Sequence, residues 1–340
     1  MFTFFKKKNR GQGTNALVLS EEGIAHACIS HDSGQVPSLK SCHYLEINNK
    51  DETRTIIKKF VHDNKLEGRP VFMSLLTSDY DLEMLEKPEV ADSELHQAVR
   101  WKIKDNISFD VNNAIVDVFE IPNLKERGRT PLVYAAAADK ELLKQRIKIF
   151  EEQNLEIKSI DIAELAMRNV ATLLPEDQQG VALLKLEGTT GLMTLTQNSS
   201  LYLTRSIDVG FSEISVANSI LGETPIETDG LSLEGGMSPN QQRTLDAIVL
   251  EVQRSLDYYE SHFDKPAINS LVLAPLPYEI PGVIKYLAGA LGLQVRMLDL
   301  NAVLDTTTPL SQEIQASCFY AIGTALKESI AEVENKSEAA

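Results

Sequence analysis

Several things are scarce in this chain, and each scarcity closes off a class of function. The 340 residues include three cysteines, Cys28, Cys42 and Cys318, far apart and without a CxxC spacing. No disulfide framework is expected from them, only free thiols in a reducing compartment. Positive charge is in deficit: 33 Lys and Arg face 49 Asp and Glu, a net charge of −16. Such a surface repels phosphate backbones, so general nucleic-acid binding is not expected. No apolar run approaches ~20 residues and no signal-peptide core follows the start, so the chain is expected to stay in the cytoplasm.

Catalytic signatures are missing too. There is no G-x-x-x-x-G-K-[ST] loop, no G-x-S-x-G elbow and no H-E-x-x-H. "GQGTNA" at Gly11 loosely matches a dinucleotide fingerprint, but it precedes a strand instead of following one. The six histidines show no ligand spacing, so no metal is expected. "DYD" at Asp79–Asp81 offers two acids to a cation, but the simpler reading is a plain turn.

What is present is a long alternation of strands and helices. "MFTFFKKKNR" first sets Phe2, Phe4 and Phe5 beside Lys6, Lys7 and Lys8. A solvated tail is the simpler reading; contact with another subunit or an anionic lipid surface is the other. "NALVLSEEGIAHACIS" then reads as a hairpin, "SCHYLEI" as a third strand, "DETRTIIKKFVHDNKL" as a helix and "RPVFMSLL" as a buried strand. "DSELHQAVRWKIKDNI" is a helix capped by Asp92 or Ser93, with Leu95, Val99 and Ile103 on one face. Strands "NAIVDVFEI" and "PLVYAAAA", helix "DKELLKQRIKIFEEQNL", strand "EIKSIDI" and helix "AELAMRNVATLL" follow. The pattern restarts at "GVALLKLEGTTGLMTLTQNSSLYLTRSI", three strands with two turns. A helix, a polar loop, a long helix and alternating elements come next, and one helix over "QASCFYAIGTALKESIAEV" closes the chain. Three strands followed by alternating helices and strands, written twice, predict two α/β lobes facing each other across a cleft.

Trp101 is the only tryptophan. The simpler reading places it in the core beneath a sheet, since large aromatics are mostly buried. The other makes it an anchor for a partner.

Several segments together resemble the PilM family of type IV pilus assembly proteins, and more narrowly its mannose-sensitive haemagglutinin (MSHA) pilus branch. They are "MFTFFKKK", "LHQAVRWKIKDNISFDVNNAIVDVFEI", "LVYAAAADKELLKQRIKIFEEQNLEIKSIDIAELAMRNV", "LYLTRSIDVG", "EVQRSLDYYES" and "IPGVIKYLAGALGLQVRMLDL", in the family's order. The resemblance implies an actin-like (RNase H-like duplicated) fold of two lobes with a small subdomain inserted in the first. With this the chain divides into a basic and aromatic tail at 1–12, a first lobe at 13–178 with the insert at about 70–135, a second lobe at 179–330 and, from its composition, a disordered acidic end at 331–340. It implies a cytoplasmic protein held at the inner membrane by the N-terminal tail of a bitopic PilN-type (MshJ-like) partner, among other platform proteins. It also implies ATP in the interlobe cleft.

The nucleotide motifs depart from that family's pattern. In the first phosphate hairpin, "ALVLSEEG", Val18 stands at the aspartate position, and Glu21 and Glu22 stand where small hydroxyl residues approach phosphate. In the second, "LKLEGTTG", Lys185 replaces the aspartate and Glu187 a glycine, ahead of Gly188, Thr189 and Thr190. In the adenosine turn, "LAPLPYEIPG", Pro275 and Pro277 stand where backbone donors and glycine are wanted. Carboxylates beside a triphosphate repel it unless a metal intervenes.

The expectation is therefore a non-catalytic scaffold without a cofactor, docking a membrane partner's tail around Trp101, Ile107 and Phe109. Lys185 and Glu187, two residues apart, are expected to pair and to fill the phosphate space. One alternative is a Mg-ATP switch in which Lys185 contacts phosphate and Glu187 holds magnesium. Another is a cytoplasmic module like that of the type II secretion protein GspL.

Overall fold

The computed structural model describes residues 13–31, 35–122, 130–219 and 237–327. The tail carrying Phe2, Phe4, Phe5, Lys6, Lys7 and Lys8, the charged loop at 123–129, most of the polar loop after 219 and the acidic end lie outside these residues.

The chain opens with β1 (Thr14–Leu19), β2 (Gly23–Ser30), β3 (Ser38–Glu46), α1 (Thr53–Asp63) and β4 (Pro70–Leu75). A small unit follows: β5 (Asp81–Glu86), α2 (Asp92–Lys102), β6 (Ala114–Glu120) and β7 (Leu132–Asp139). The first lobe ends with α3 (Lys140–Glu151), β8 (Glu156–Ile162) and α4 (Ala163–Ala171). The second lobe holds β9 (Val181–Leu186), β10 (Gly191–Gln197), β11 (Ser200–Ile207), α5 (Phe211–Ser219), α6 (Pro239–Phe263), β12 (Ser270–Leu273), α7 (Val283–Leu291) and β13 (Gln294–Met297). Last come α8 (Leu300–Val303), β14 (Asp305–Thr306), α9 (Gln312–Ser317) and α10 (Phe319–Ala325).

The two large sheets repeat one topology. The first runs β14-β3-β2-β1-β4-β8 and the second β11-β10-β9-β12-β13. In each, three antiparallel strands lead to two parallel ones. β1 and β9 are the homologous central strands. Both are covered on two faces, which is why "NALVL" and "VALLKL" read as nearly unbroken apolar runs. Between the sheets, α4 and α10 cross and share a core with β1, β2, β9 and β12. The crossing is close because residue 323 is glycine: a Cβ there would lie 2.2 Å from the Ala166 carbonyl oxygen.

Local signals explain several boundaries. Asp139 caps α3, its side chain accepting from the backbone N–H of Glu141 and Leu142. Ser238 and Gln241 form a capping box at α6, with Pro239 in its first turn.

Four expectations are corrected. The inserted sheet, ordered β5-β7-β6, spans 81–139 and not about 70–135, since β4 pairs with β1 and β8 in the first large sheet. β5 lies in what read as a turn and loop; its acids Asp81, Glu83 and Glu86 hid a strand paired along its whole length with β7. Neither Asp92 nor Ser93 caps α2: Ala91 occupies that position, with no side-chain bond. The closing helix is broken at Cys318 into α9 and α10.

Candidate functional site in the interlobe cleft

The hairpins of the two lobes face each other. A Cβ on Gly188 would lie 3.8 Å from Glu22 Oε1. Between them lies Lys185, only 6% exposed. Its ammonium sits 3.4 Å from the Leu186 carbonyl and 6.0 Å from the centre of the Phe319 ring. Burial pushes its pKa down, and the carboxylates of Glu187 and Glu22 pull it back up. The expected Lys185–Glu187 ion pair is absent: no contact within 4.0 Å links them. The strand ends at Leu186, so Glu187 already belongs to the turn and leaves the face that Lys185 occupies. Its carboxylate lies against the buried Tyr320 hydroxyl without an aligned hydrogen bond.

In the first hairpin, Val18 is buried in β1, while Glu21 and Glu22 are exposed at the turn. The backbone N–H groups of Glu22 and Gly23 donate to Ser20 Oγ at 3.1 and 3.0 Å. These are donors that a phosphate in this turn would need, and the turn itself consumes them. Tyr44 closes over the turn, its hydroxyl donating to the Glu22 carbonyl at 3.2 Å. Its ring fills the space where a Cβ on Gly23 would stand. Burial, then the charges of Glu22 and Glu46, push the Tyr44 phenol up to about 12.

The second hairpin is closed by the Glu187 N–H on the Thr190 carbonyl at 2.8 Å. The first amides of α5 hold it from below: Phe211 N–H donates to the Glu187 carbonyl at 2.6 Å and Ser212 N–H to the Gly188 carbonyl at 2.8 Å. Gly210 lies so close to those carbonyls that a Cβ would meet them at 2.4–2.5 Å. Thr189 and Thr190 are exposed on the turn. In the third element Pro275 is buried and Pro277 half-buried, and neither offers an N–H. Tyr278 follows, edge-on to Phe211 with ring centres 4.6 Å apart. The cleft thus brings together Glu22, Lys185, Glu187 and Gly188, with Pro275 and Pro277 on the neighbouring loop. Sequence reading missed Ser20, Tyr44, Phe319 and Tyr320. The Ser-x-x-Gly spacing at Ser20 was a readable turn signal; the aromatics reach the site from distant segments.

A second locus lies on the inserted subdomain. Trp101 is 54% exposed, which overturns its reading as a core plug. α2 turns Leu95, Val99 and Ile103 to Ala135 and Ala137 of β7, and Trp101 falls off that face. Ile107 and Phe109 pack, half-buried, against the same small core and not on the open surface. Trp101, Arg100, His96, Asn112 and Val116 line a cavity of about 410 Å³ between α2 and β6. The Arg100 guanidinium donates to the carbonyls of Val111 and Asn112, fixing the start of β6. Among the described residues, no helix is long and apolar enough to cross a membrane.

Two sheets of one repeated topology, with a pair of crossing helices between them and facing hairpins at the cleft, define an actin-like fold. The chain belongs to the type IV pilus assembly protein PilM family, whose model matches residues 40–329. Among solved structures, a "PilM-PilN type IV pilus biogenesis complex" aligns with a TM-score of 0.69 at 16% identity, over 93% of this chain and 98% of that one. A Bacteroides thetaiotaomicron protein with an actin-like ATPase fold aligns at 0.49 with 11% identity, over 93% and 98%. The cytoplasmic domain of EpsL, an inner membrane component of the Vibrio cholerae type II secretion system, aligns at 0.46 with 12% identity, over 91% and 94%. No curated protein matches the chain.

Proposed function

We propose that this protein is a non-catalytic member of its family: a cytoplasmic scaffold of the pilus assembly platform that docks a membrane partner and does not turn over ATP. One observation carries the reading. Lys185 lies buried between the two hairpins, in the space a phosphate and its metal would need, with Glu22 and Glu187 beside it. Magnesium would meet the lysine charge, and the triphosphate would meet the two carboxylates. The Ser20-satisfied turn and the prolines at 275 and 277 remove donors independently.

The partner is a bitopic inner-membrane protein of PilN type, MshJ-like if the chain is the MshI of an MSHA pilus. The family match and the PilM-PilN relative support this. The exposed Trp101 beside its cavity is the docking anchor on this chain, while Ile107 and Phe109 pack into the small core of the same subdomain. Titration calorimetry tests both halves. Mg-ATP should give no binding heat, and the partner's N-terminal tail peptide should bind, weakened tenfold or more by Trp101→Ala. Micromolar ATP affinity overturns the non-catalytic reading. A tail peptide that does not bind, or binds the Trp101→Ala variant equally well, overturns the docking site.

A further inference from the structure

The inserted subdomain lies against both lobes, and the contact to the second lobe is unusual in kind. β11 is the edge of the second sheet, with β10 on one side only. On its open side the Tyr134 hydroxyl, from the central strand β7 of the insert, takes the place of a neighbouring strand. It accepts from the Thr204 N–H at 3.1 Å and donates to the Tyr202 carbonyl at 3.3 Å. Two backbone groups of the edge are thereby satisfied by one side chain from another subdomain. Tyr134 is buried, with the Phe119 ring 5.3 Å away, and Ile121 and Tyr134 belong to the core of the second lobe. The grip passes inward: the Tyr202 ring packs edge-on against Tyr259 and Phe263 of α6 at 5.8 and 5.6 Å.

The root of the insert holds a second tie. The Tyr80 hydroxyl donates to the Glu164 carboxylate in the first turn of α4 and accepts from the Ala163 N–H at 3.2 Å. α4 is one of the two helices crossed between the sheets. The insert is therefore fastened at one end to the interlobe helix and at the other to the far edge of the second sheet.

We propose that the inserted subdomain is a strut that fixes the relative position of the two lobes, with Tyr134 as its positioning residue. The inference stands apart from the docking role, since it uses the opposite face of β7: Ala135 and Ala137 face α2, whereas Tyr134 faces the second lobe. It predicts that the facing hairpins of the cleft stay in register because this side contact holds, with no ligand between them.

Tyr134→Phe on the full chain tests it by hydrogen exchange, because the ring keeps its packing and only the two hydrogen bonds are lost. Exchange at the β11 amides should rise about tenfold, and exchange at the two cleft hairpins, residues 20–23 and 187–190, should rise with it. Exchange in α2 and α1 should stay unchanged. Faster exchange at β11 with unaltered hairpins would reduce Tyr134 to an edge cover and overturn the strut, as would unaltered β11. A uniform rise across both lobes would also overturn it. Tyr80→Phe, which cuts the other tie, should loosen the same hairpins and leave β11 protected; unchanged hairpins in this variant count against the strut as well.

Discussion

Glu164 and His26 are buried titratable side chains whose shifts oppose each other with pH. Burial pushes the Glu164 carboxyl up to about 7, against the pull of its bond from Tyr80. A raised acid binds its proton more tightly in the folded state, so its stabilising share is complete below the unfolded value of 4.5 and fades as pH rises towards 7. Glu164→Gln should therefore stabilise the protein at pH 8, by up to about 3 kcal/mol, and change little at pH 4.5. Denaturant unfolding at both pH values checks this; a loss of stability at pH 8 would contradict it. His26 goes the other way. Burial, then the charges of His43 and Arg69, lower it to about 3, with Nε2 3.2 Å from Asn15 Oδ1. Its neutral form is required in the folded state, so stability is lost as pH falls from 6.5 towards 3, at up to about 1.4 kcal/mol per pH unit. His26→Gln should flatten that acid slope relative to the wild type, read as the difference between the two proteins so that other carboxylates cancel. Lys185 shows why a residue's role was only half readable. The change from aspartate to lysine was visible in the sequence, but its isolation from Glu187 depended on where β9 stopped.

At the scale of elements, the crossing of α4 and α10 sets the distance between the lobes, and Gly323 sets the crossing. A methyl group at residue 323 would lie 2.2 Å from one backbone atom and 2.8 Å from another, both of Ala166. Backbone cannot rotate away as a side chain can, so Gly323→Ala should cost at least about 1–3 kcal/mol, seen as a lowered denaturation midpoint. An unchanged midpoint would mean that the helices slide freely. Most strands and helices were legible because their apolar patterns were strong: the runs "NALVL" and "VALLKL" and the periodic stripe of α6 leave little choice. β5 was not legible, because this half-buried edge strand of a small sheet carries three acids, Asp81, Glu83 and Glu86, in six residues and looks like a turn. The break at Cys318 was hidden for another reason. α9 buries Gln315 and Ala316, and α10 is buried at every residue, so the sequence carries no signal for a kink that packing creates. The phosphate hairpins were legible as outlines, and the features that set them apart from the family's pattern were partly so. Glu21, Glu22 and Pro275 are local facts of sequence, whereas Tyr44 over Gly23 and Tyr320 against Glu187 are products of tertiary contact.

For the whole molecule, the question is what free energy holds two lobes around a cleft. In a nucleotide-dependent member of this fold, ligand binding would supply part of it, and mass action would show it. A ligand at a hundred times its Kd stabilises the folded state by about 2.7 kcal/mol, which shifts the midpoint of a protein of this size by several degrees. Here the cleft carries its own buried cation and its own satisfied turns, and the insert reaches both lobes. Millimolar Mg-ATP should therefore leave the thermal midpoint within error of the nucleotide-free value. Lys185→Met should not lower it: the buried ammonium gains only one carbonyl at 3.4 Å and a ring at 6.0 Å in return for its lost hydration. The two measurements together separate the readings. A cleft closed by its own residues predicts a flat response to Mg-ATP in both proteins. A disguised nucleotide site that uses Lys185 as its phosphate contact predicts a rise in the wild type that Lys185→Met abolishes, and that pattern would overturn the scaffold reading.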